Sequence, residues 1–517
     1  MRFTVIVMFL VFIFVPAEAA VLDVHSFGAA GDGIVKDTKA IQAAIDSCNG
    51  AGGGSVTFGT GTFLSGQLTM KSNVTLSLDP TTTIKVSADT LDFRRVSSVS
   101  DGHAFFLNAD GAENFGIVGR GVILGNGQDI LNGSIEHPNF RIALIRFQNC
   151  RNLLFRDFNI RYSETWTFML YKCERVVIDG ISILNNMYRI NTDGIDPCSC
   201  KDVFISNCSF VCGDDAICLK TFHPDEVCEN IVVTNCTIET LTSGIKFGTS
   251  SAGDFRDIHF SNISIKNTGC CIGFFVKDGA TVERVTFSNI SLETSTDLES
   301  TGVKQHTIIP VYIDIEQRTP NSPIGVVRDI MFSNIHAYTD RGFLLQGMPE
   351  SALENITLRD VTIRVNKASS YEKRVKRGGG VSNSNDVRIT KYIRQPSYFA
   401  FAHVNGFIVD NLRIIVPPEV HNVYPRTALS VFEATDGIVS RISRETDETA
   451  GSEAVIQLDN TARTLLTANM AAPDTPVFLK VTGEKSSDIT LTGNDLHYAG
   501  KTWTAGIDAS SKAVVEK

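Results

Sequence analysis

One eight-residue pattern recurs along this chain and leaves few folds open. Val203-Phe-Ile-Ser-Asn-Cys-Ser-Phe, Ile231-Val-Val-Thr-Asn-Cys-Thr-Ile, Ile258-His-Phe-Ser-Asn-Ile-Ser-Ile and Val285-Thr-Phe-Ser-Asn-Ile-Ser-Leu share apolar residues at positions one, three, six and eight. Further copies open at Ile330 and Ile356, and looser ones at Leu153, Val176 and Phe407. Apolar residues at one and three carry the two-residue period of a strand, and the step from three to six breaks that period at a bend. The fifth position is Asp157, Gly180, Asn207, Asn235, Asn262, Asn289, Asn334, Asp360 and Asn411. Asn, Asp and Gly are the residues that tolerate a left-handed backbone. The pattern therefore describes two short strands joined at a one-residue corner.

Successive corners are 23, 27, 28, 27, 27, 45, 26 and 51 residues apart. Most steps equal one turn of a solenoid, and the two long ones are expected to be about two turns. That period predicts an all-β, single-stranded parallel β-helix in which each coil pairs with the next. The Leu/Asn consensus of a leucine-rich repeat and the four-strand period of a propeller are not seen. Thr38 to Cys48 carries Ala40, Ile41, Ala44 and Ile45 on one helical face, with Asp37 placed as its cap. This short N-terminal helix is expected to cover the open end of the solenoid.

Arg2, an apolar run from Phe3 to Val15, Pro16 and the small residues to Ala20 have the order of a secretory signal, cleaved after Ala19 or Ala20. Residues 1–20 are read as signal peptide and 21–517 as a single catalytic β-helix, monomeric, secreted and clear of the membrane once the signal is removed. A basic stretch at about 367–385, with Lys373, Arg374, Lys376 and Arg377 before three glycines, reads as a mobile loop within it. Twelve Cys in a secreted chain suggest disulfides, with buried free thiols as the alternative; no zinc-type spacing occurs. Of seven sequons, Asn73 and Asn132 are the expected glycosylation sites because neither belongs to the corner file. A formal charge of −10 argues against nucleic acid as partner. An anionic polymer would have to meet a local basic patch.

Three segments align on a polar-small-Ile core: Asp193-Gly194-Ile195, Asp215-Ala216-Ile217 and Ser243-Gly244-Ile245. Their spacing of one coil each stacks the polar residues on neighbouring strands about 4.8 Å apart. With Asp214, three carboxylates converge on one patch of the wall, where at least one pKa should rise. Hydrolysis of a glycosidic bond needs one carboxyl that holds a proton and another that takes one from water. Asp214 and Asp215 are chain neighbours, so a bend after Gly213 is required for both to face the same side.

Asn191-Thr192-Asp193-Gly194-Ile195-Asp196 and Gly213-Asp214-Asp215 resemble the paired signatures of the polygalacturonase family of glycoside hydrolases, family 28, a likeness running from Phe27 to about Pro417. The resemblance implies a right-handed helix and inverting hydrolysis of pectin-like polysaccharide without metal or other cofactor. In it Asp214 is the general acid, and Asp193 with Asp215 activates water. It also implies that Asn191 and Lys277 contact substrate, with Lys246 as a partial substitute for what is missing. Thr242-Ser243-Gly244 replaces the family's Gly-His-Gly. Phe275-Val276-Lys277 keeps the Lys but not the Arg of Arg-Ile-Lys, and Gln317 stands where a Tyr is expected. His223, His259 and His306 have nothing local to make them substitutes for the lost His. These departures point to altered sugar specificity. Two alternatives stay open: a β-helix polysaccharide lyase, whose calcium-dependent product would absorb ultraviolet light, and a non-catalytic carbohydrate-binding solenoid.

Overall fold

The computed structural model describes residues 19–95, 103–137, 139–295, 308–366, 392, 396–417, 420, 426–445, 454–473 and 475–517. Most of the signal-like segment, the basic stretch 367–385 and His306 lie outside them. No described helix is long and apolar enough to cross a membrane.

From Ala20–Asp23 to Val514–Glu516 the strands belong to one continuous sheet whose named pairs are parallel, wound as a right-handed β-helix. Each coil contributes to three walls. One wall runs through Arg151–Arg156, Glu174–Asp179 and Lys201–Ser206; the second through Asn159–Arg161, Ser182–Leu184 and Ser209–Cys212. The third runs through Ile142–Gln148, Phe168–Tyr171, Ile195–Cys198, Ile217–Thr221, Ser243–Ser251, Cys270–Val276 and Ile309–Ile315.

The corner between the first two walls is the Asn file. All nine fifth positions, from Asp157 to Asn411, have φ between 52° and 67°. Their side chains bond coil to coil: Asn289 Nδ2 donates to Asn262 Oδ1 at 3.1 Å, and Asn334 Nδ2 to Asn289 Oδ1 at 2.8 Å. Inside, Phe260, Phe287 and Phe332 stack 5.0 and 4.8 Å apart, nearly the strand spacing itself.

Four expectations need correction. The 45- and 51-residue steps are single coils, because Val285 pairs directly with Ile330 and Ile356 with Phe407. Parallel strands must satisfy their hydrogen bonds with the adjacent coil, so the strand register is kept whatever length of chain separates two corners. Asp37 precedes helix α1 (Thr38–Gly50) but does not cap it; its carboxylate accepts from the N–H groups of Ala30 and Gly31 at 2.7 and 3.1 Å. The helix buries Ala40, Ile41, Ala44 and Ile45 as expected.

Asn73 belongs to a second left-handed file between the third and first walls, with φ 63°, and accepts from Asn114 Nδ2 at 3.0 Å. Only its Oδ1 is engaged there, so what fails is the premise that it stands outside any stacked file; like Asn132 at a helix end, it is exposed. Finally, all twelve cysteines are free and buried, not paired in disulfides. Cys150, Cys173, Cys200 and Cys228 precede the in-register Arg151, Glu174, Lys201 and Glu229, so they stack one per coil as core filling.

Candidate active site

The site lies where the second wall turns into the third. Ile195 pairs with Ile217 and Ile217 with Ile245, the register that the three aligned segments require. Between the strands Ser209–Cys212 and Ile217–Thr221 the chain bends. Gly213 makes that bend possible: a Cβ there would come within 2.1 Å of Arg189 O. Gly194 is confined in the same way, with Ala216 O 2.4 Å from where a Cβ would sit. Small residues thus let two carboxylate-bearing segments pack against each other.

Asp193 and Asp215 are buried, and Asp214 keeps some exposure. Asp214 accepts from Asn191 N at 3.0 Å and from Asp215 N at 3.0 Å, and burial followed by the charges of Asp193 and Asp215 pushes its carboxyl up to about 7. Asp215 goes the other way. Burial would raise it, but Lys246 and then Lys220 outweigh burial and hold it below the ordinary carboxylate value. Lys246 Nζ sits 2.7 Å from Asp215 Oδ2, with both side chains at most a tenth exposed. Two neighbouring residues therefore differ sharply in proton affinity.

Asp193 shares a cation with a residue that sequence reasoning quoted but did not use. Lys220 Nζ lies 3.2 Å from Asp193 Oδ2 and also bonds Asp196 Oδ1. One ammonium cannot neutralise two buried carboxylates. Burial first, then Asp196, pushes Asp193 up to about 8, and burial raises Asp196 as well. Lys220 also sits 4.5 Å from the centre of the partly exposed Trp166 ring.

Two hydroxyls occupy the place of the missing His. Thr242 Oγ1 is 3.3 Å from both Asp214 Oδ1 and Asp215 Oδ1, and Ser243 hydrogen-bonds Asp215. The in-register alignment of Ser243 with the aspartates was the available signal for these residues. His259 instead faces outward, 2.8 Å from Thr286 Oγ1, and His223 lies on the turn closed by Glu226.

Asn191, Lys246 and the three aspartates come together; Lys277 does not join them. Asn191 adopts φ 58° and turns its amide onto Asp214 while its Oδ1 accepts from Arg141 at 2.8 Å. Lys277 lies two coils beyond Asp215, its ammonium bonded to Glu316. Asp314, beside it, accepts from Tyr312 OH at 2.8 Å and Gln346 Nε2 at 3.1 Å, and burial, then Glu316, pushes it up to about 7. Phe275 is 3% exposed, 5.3 Å from Lys246 Nζ and 5.5 Å from the Tyr312 ring. Gln317 turns back to its own loop, donating to Ser322 O at 2.6 Å.

Asp193, Asp215 and Cys218 each place a donor atom within 4.8 Å of the others, a spacing a metal ion could use. The two carboxylates already bond ammonium groups, and the Cys218 thiol donates to Gly248 O at 3.1 Å.

The model for glycosyl hydrolases family 28 matches residues 48–384. That span begins after the Phe27–Gly33 segment and stops short of Pro417. A probable polygalacturonase of Vitis vinifera is 25% identical over 49% of this chain and 58% of its own length. An exopolygalacturonase of Zea mays is 25% identical over 60% of this chain and 75% of its own. An endo-polygalacturonase of Pectobacterium carotovorum subsp. carotovorum is 22% identical over 63% and 84%. Among solved structures, the exopolygalacturonase of Thermotoga maritima superposes with TM-score 0.57 at 22% identity, covering 67% of this chain and 88% of that one. A phage HK620 tailspike superposes at 0.64 with 12% identity over 91% and 80%.

Proposed function

Because this chain belongs to glycosyl hydrolases family 28, we propose that it is a secreted hydrolase of pectin-like polysaccharide that works by single-displacement, inverting acid/base chemistry. The observation that carries this reading is the opposed proton affinity of two adjacent carboxyls: Asp214 pushed up to about 7 and Asp215 held low by Lys246. Asp214, the more exposed of the two, donates its proton to the leaving oxygen. Asp215 is the charged base that takes one from water. Asp193, pushed up to about 8, keeps its proton near neutrality and orients that water by hydrogen bonding.

The sugar is expected to differ from plain polygalacturonate at the Lys277 end of the cleft. Lys277, Glu316 and Asp314 together carry no surplus positive charge there, and Phe275 lies under Lys246 and Tyr312. A lyase reading draws on the Asp193, Asp215 and Cys218 grouping, but calcium takes oxygen ligands, and one of these donors is a thiol.

The test is hydrolysis of polygalacturonate, rhamnogalacturonan, xylogalacturonan and neutral glycans, with the anomer of the first product read by NMR. Inverted product and loss of turnover by several orders of magnitude in Asp214→Asn support the reading. Retained configuration, ultraviolet-absorbing product, or binding without turnover would reject it.

A further inference from the structure

The turn that carries Asp193 runs between the strands Ser182–Leu184 and Ile195–Cys198. Within it Tyr188 is 56% and Ile190 63% exposed, and Asn191 holds the left-handed conformation at φ 58°. Apolar burial contributes little to holding this turn, and hydrogen bonds take its place.

Two hydrogen-bonded routes into the turn start at one residue, Glu164. Its carbonyl oxygen accepts from Arg189 Nε at 2.9 Å; Arg189 O accepts from Thr192 Oγ1 at 2.7 Å, and that hydroxyl accepts from Gly213 N at 3.0 Å. Its carboxylate accepts from Ile142 N at 3.1 Å, next to Arg141. Arg141 donates to Ile190 O at 3.1 Å and to Asn191 Oδ1 at 2.8 Å, and Asn191 N donates to Asp214 Oδ2 at 3.0 Å. Both routes therefore end on the Gly213–Asp214 step. A third contact, Asn186 Nδ2 to Gln128 Oε1 at 2.9 Å, reaches the turn from the short helix Gly127–Leu131.

Glu164 is anchored in its turn by His137. The carboxylate side chain is 1% exposed and the imidazole 3%. His137 Nδ1 lies 3.1 Å from Glu164 Oε2, and Nε2 lies 2.8 Å from Ala88 O. A carboxylate and a carbonyl are both acceptors. A neutral imidazole has one N–H and leaves one of these contacts unmade, so only the imidazolium fills both. Asn126 Nδ2 adds bonds to Glu164 Oε1 at 3.4 Å and to Ser87 O at 3.1 Å, tying the pair a second time to the coil of Thr82–Val86.

The hollow beside His137 is also lined by Arg95, His103, Arg141 and Arg189, which oppose a positive charge on it. Asp89, next to Ala88, is taken up by Lys36. Glu164 prevails: its hydrogen bond, ahead of the opposing effect of burial, holds the imidazole above its ordinary value.

We propose that Glu164 and the imidazolium of His137 are a positioning pair for the reaction, holding the 189–192 turn so that the Asn191 N–H meets Asp214, and holding it only while His137 is charged. The role of Asp214 rests on the hydrolase reading; the hold on the turn does not. When His137 gives up its proton, one of its two bonds is lost, the turn loosens, and the ionised Asp214 loses a donor.

The experiment uses the full chain with its histidine rings labelled with nitrogen-15, as wild type, His137→Gln and Glu164→Gln. The signal missing from His137→Gln identifies His137. In wild type its ring should keep both N–H groups past about pH 7, and in Glu164→Gln it should titrate at or below the ordinary histidine value of about 6.5. Amide hydrogen exchange over residues 186–193, corrected for its intrinsic pH dependence, should be about tenfold faster in His137→Gln than in wild type at about pH 5.5, and wild type should approach the variant's rate as His137 titrates. On the glycan that wild type cleaves, His137→Gln should lower kcat about tenfold with KM little changed, and move the basic limb of the pH profile upward. A wild-type ring with a single N–H at about pH 5.5 would overturn the pair, and so would exchange over 186–193 that neither the substitution nor the titration alters. A lower melting temperature with that exchange and the pH profile unchanged would reduce the pair to a structural contact and overturn its positioning role. Should His137→Gln fail to fold, wild-type exchange followed across pH decides the question unaided. Altered exchange in a protein that hydrolyses no pectic glycan would keep the hold on the turn and reject the hydrolase reading.

Discussion

The ammonium of Lys277 is bonded to the carboxylate of Glu316 on the next coil, and both side chains are less than a tenth exposed. The one cation kept from the family's Arg-Ile-Lys segment is thus already neutralised from inside the protein. Glu316→Gln should release it and raise kcat/KM on polygalacturonate about tenfold through KM, with little change on uncharged glycans. An unchanged KM would show that Lys277 does not face substrate. By contrast, Phe275→Arg would place a guanidinium at a site only 3% exposed and should lower the melting temperature before it alters specificity.

Turnover should fall as pH rises through about 7, where Asp214 loses its proton, and hold on the acid side until the low-lying Asp215 is protonated. Stability carries the same groups with a definite sign. Asp193 and Asp214, pushed up to about 8 and about 7, keep protons that the unfolded chain releases above about 4. The native state is therefore progressively penalised as pH rises across that window, and the penalty is complete above about 8. Asp214→Asn should melt higher than wild type at pH 8, with the difference shrinking toward pH 4. Thermal melts across pH read this directly, and a difference that grows on acidification would contradict it.

Thr242→Val removes the hydroxyl placed 3.3 Å from both Asp214 and Asp215. Turnover should fall about tenfold, and the basic limb of the pH profile should move upward because the ionised Asp214 loses a donor. A pH profile superimposable on wild type would mean that the hydroxyl only fills space.

Lys220→Met leaves Asp193 and Asp196 without their shared cation and should cost about 3–5 kcal/mol, measured by denaturant unfolding. Adding Asp196→Asn should recover a substantial part of that loss. Independent, additive effects would show that the pair is not coupled.

At the corner, Asn289→Ala places a residue that disfavours the left-handed region at φ 56° and removes two interstrand bonds. It should destabilise by about 2 kcal/mol, and Asn289→Gly by clearly less, since glycine keeps the conformation. Equal losses would assign the whole effect to the hydrogen bonds.

The corner file and the register of Ile195, Ile217 and Ile245 were legible because each depends on one local property, φ tolerance or strand phase, repeated in every coil. The second file also carries mostly Asn and Asp, with Arg175 and Arg284 among them, but it lies outside the eight-residue repeat from which the corner was read. Pairs such as Arg284 with Asp257 hold that file by charge across coils. Among site residues, the aspartates follow from spacing. Lys220 does not: the Ile195–Ile217 register already puts Cys198 opposite it, but only the path of its long side chain across the coils brings its ammonium to Asp193 and Asp196. Glu316 escaped for the same reason: its partner is one coil, and 39 residues, away.

The direct bond from Asn334 to Asn289 across a 45-residue step bears on how such a chain can change. Closing 45 residues instead of 27 costs only about 0.5 kcal/mol of additional chain entropy, less than one hydrogen bond is worth. Contour length around a coil is therefore nearly neutral to selection on stability, while the phase of its strands is not. New material can be spliced in at a coil's loops without disturbing the carboxylates, and substrate preference can drift by insertion at a pace independent of the chemistry.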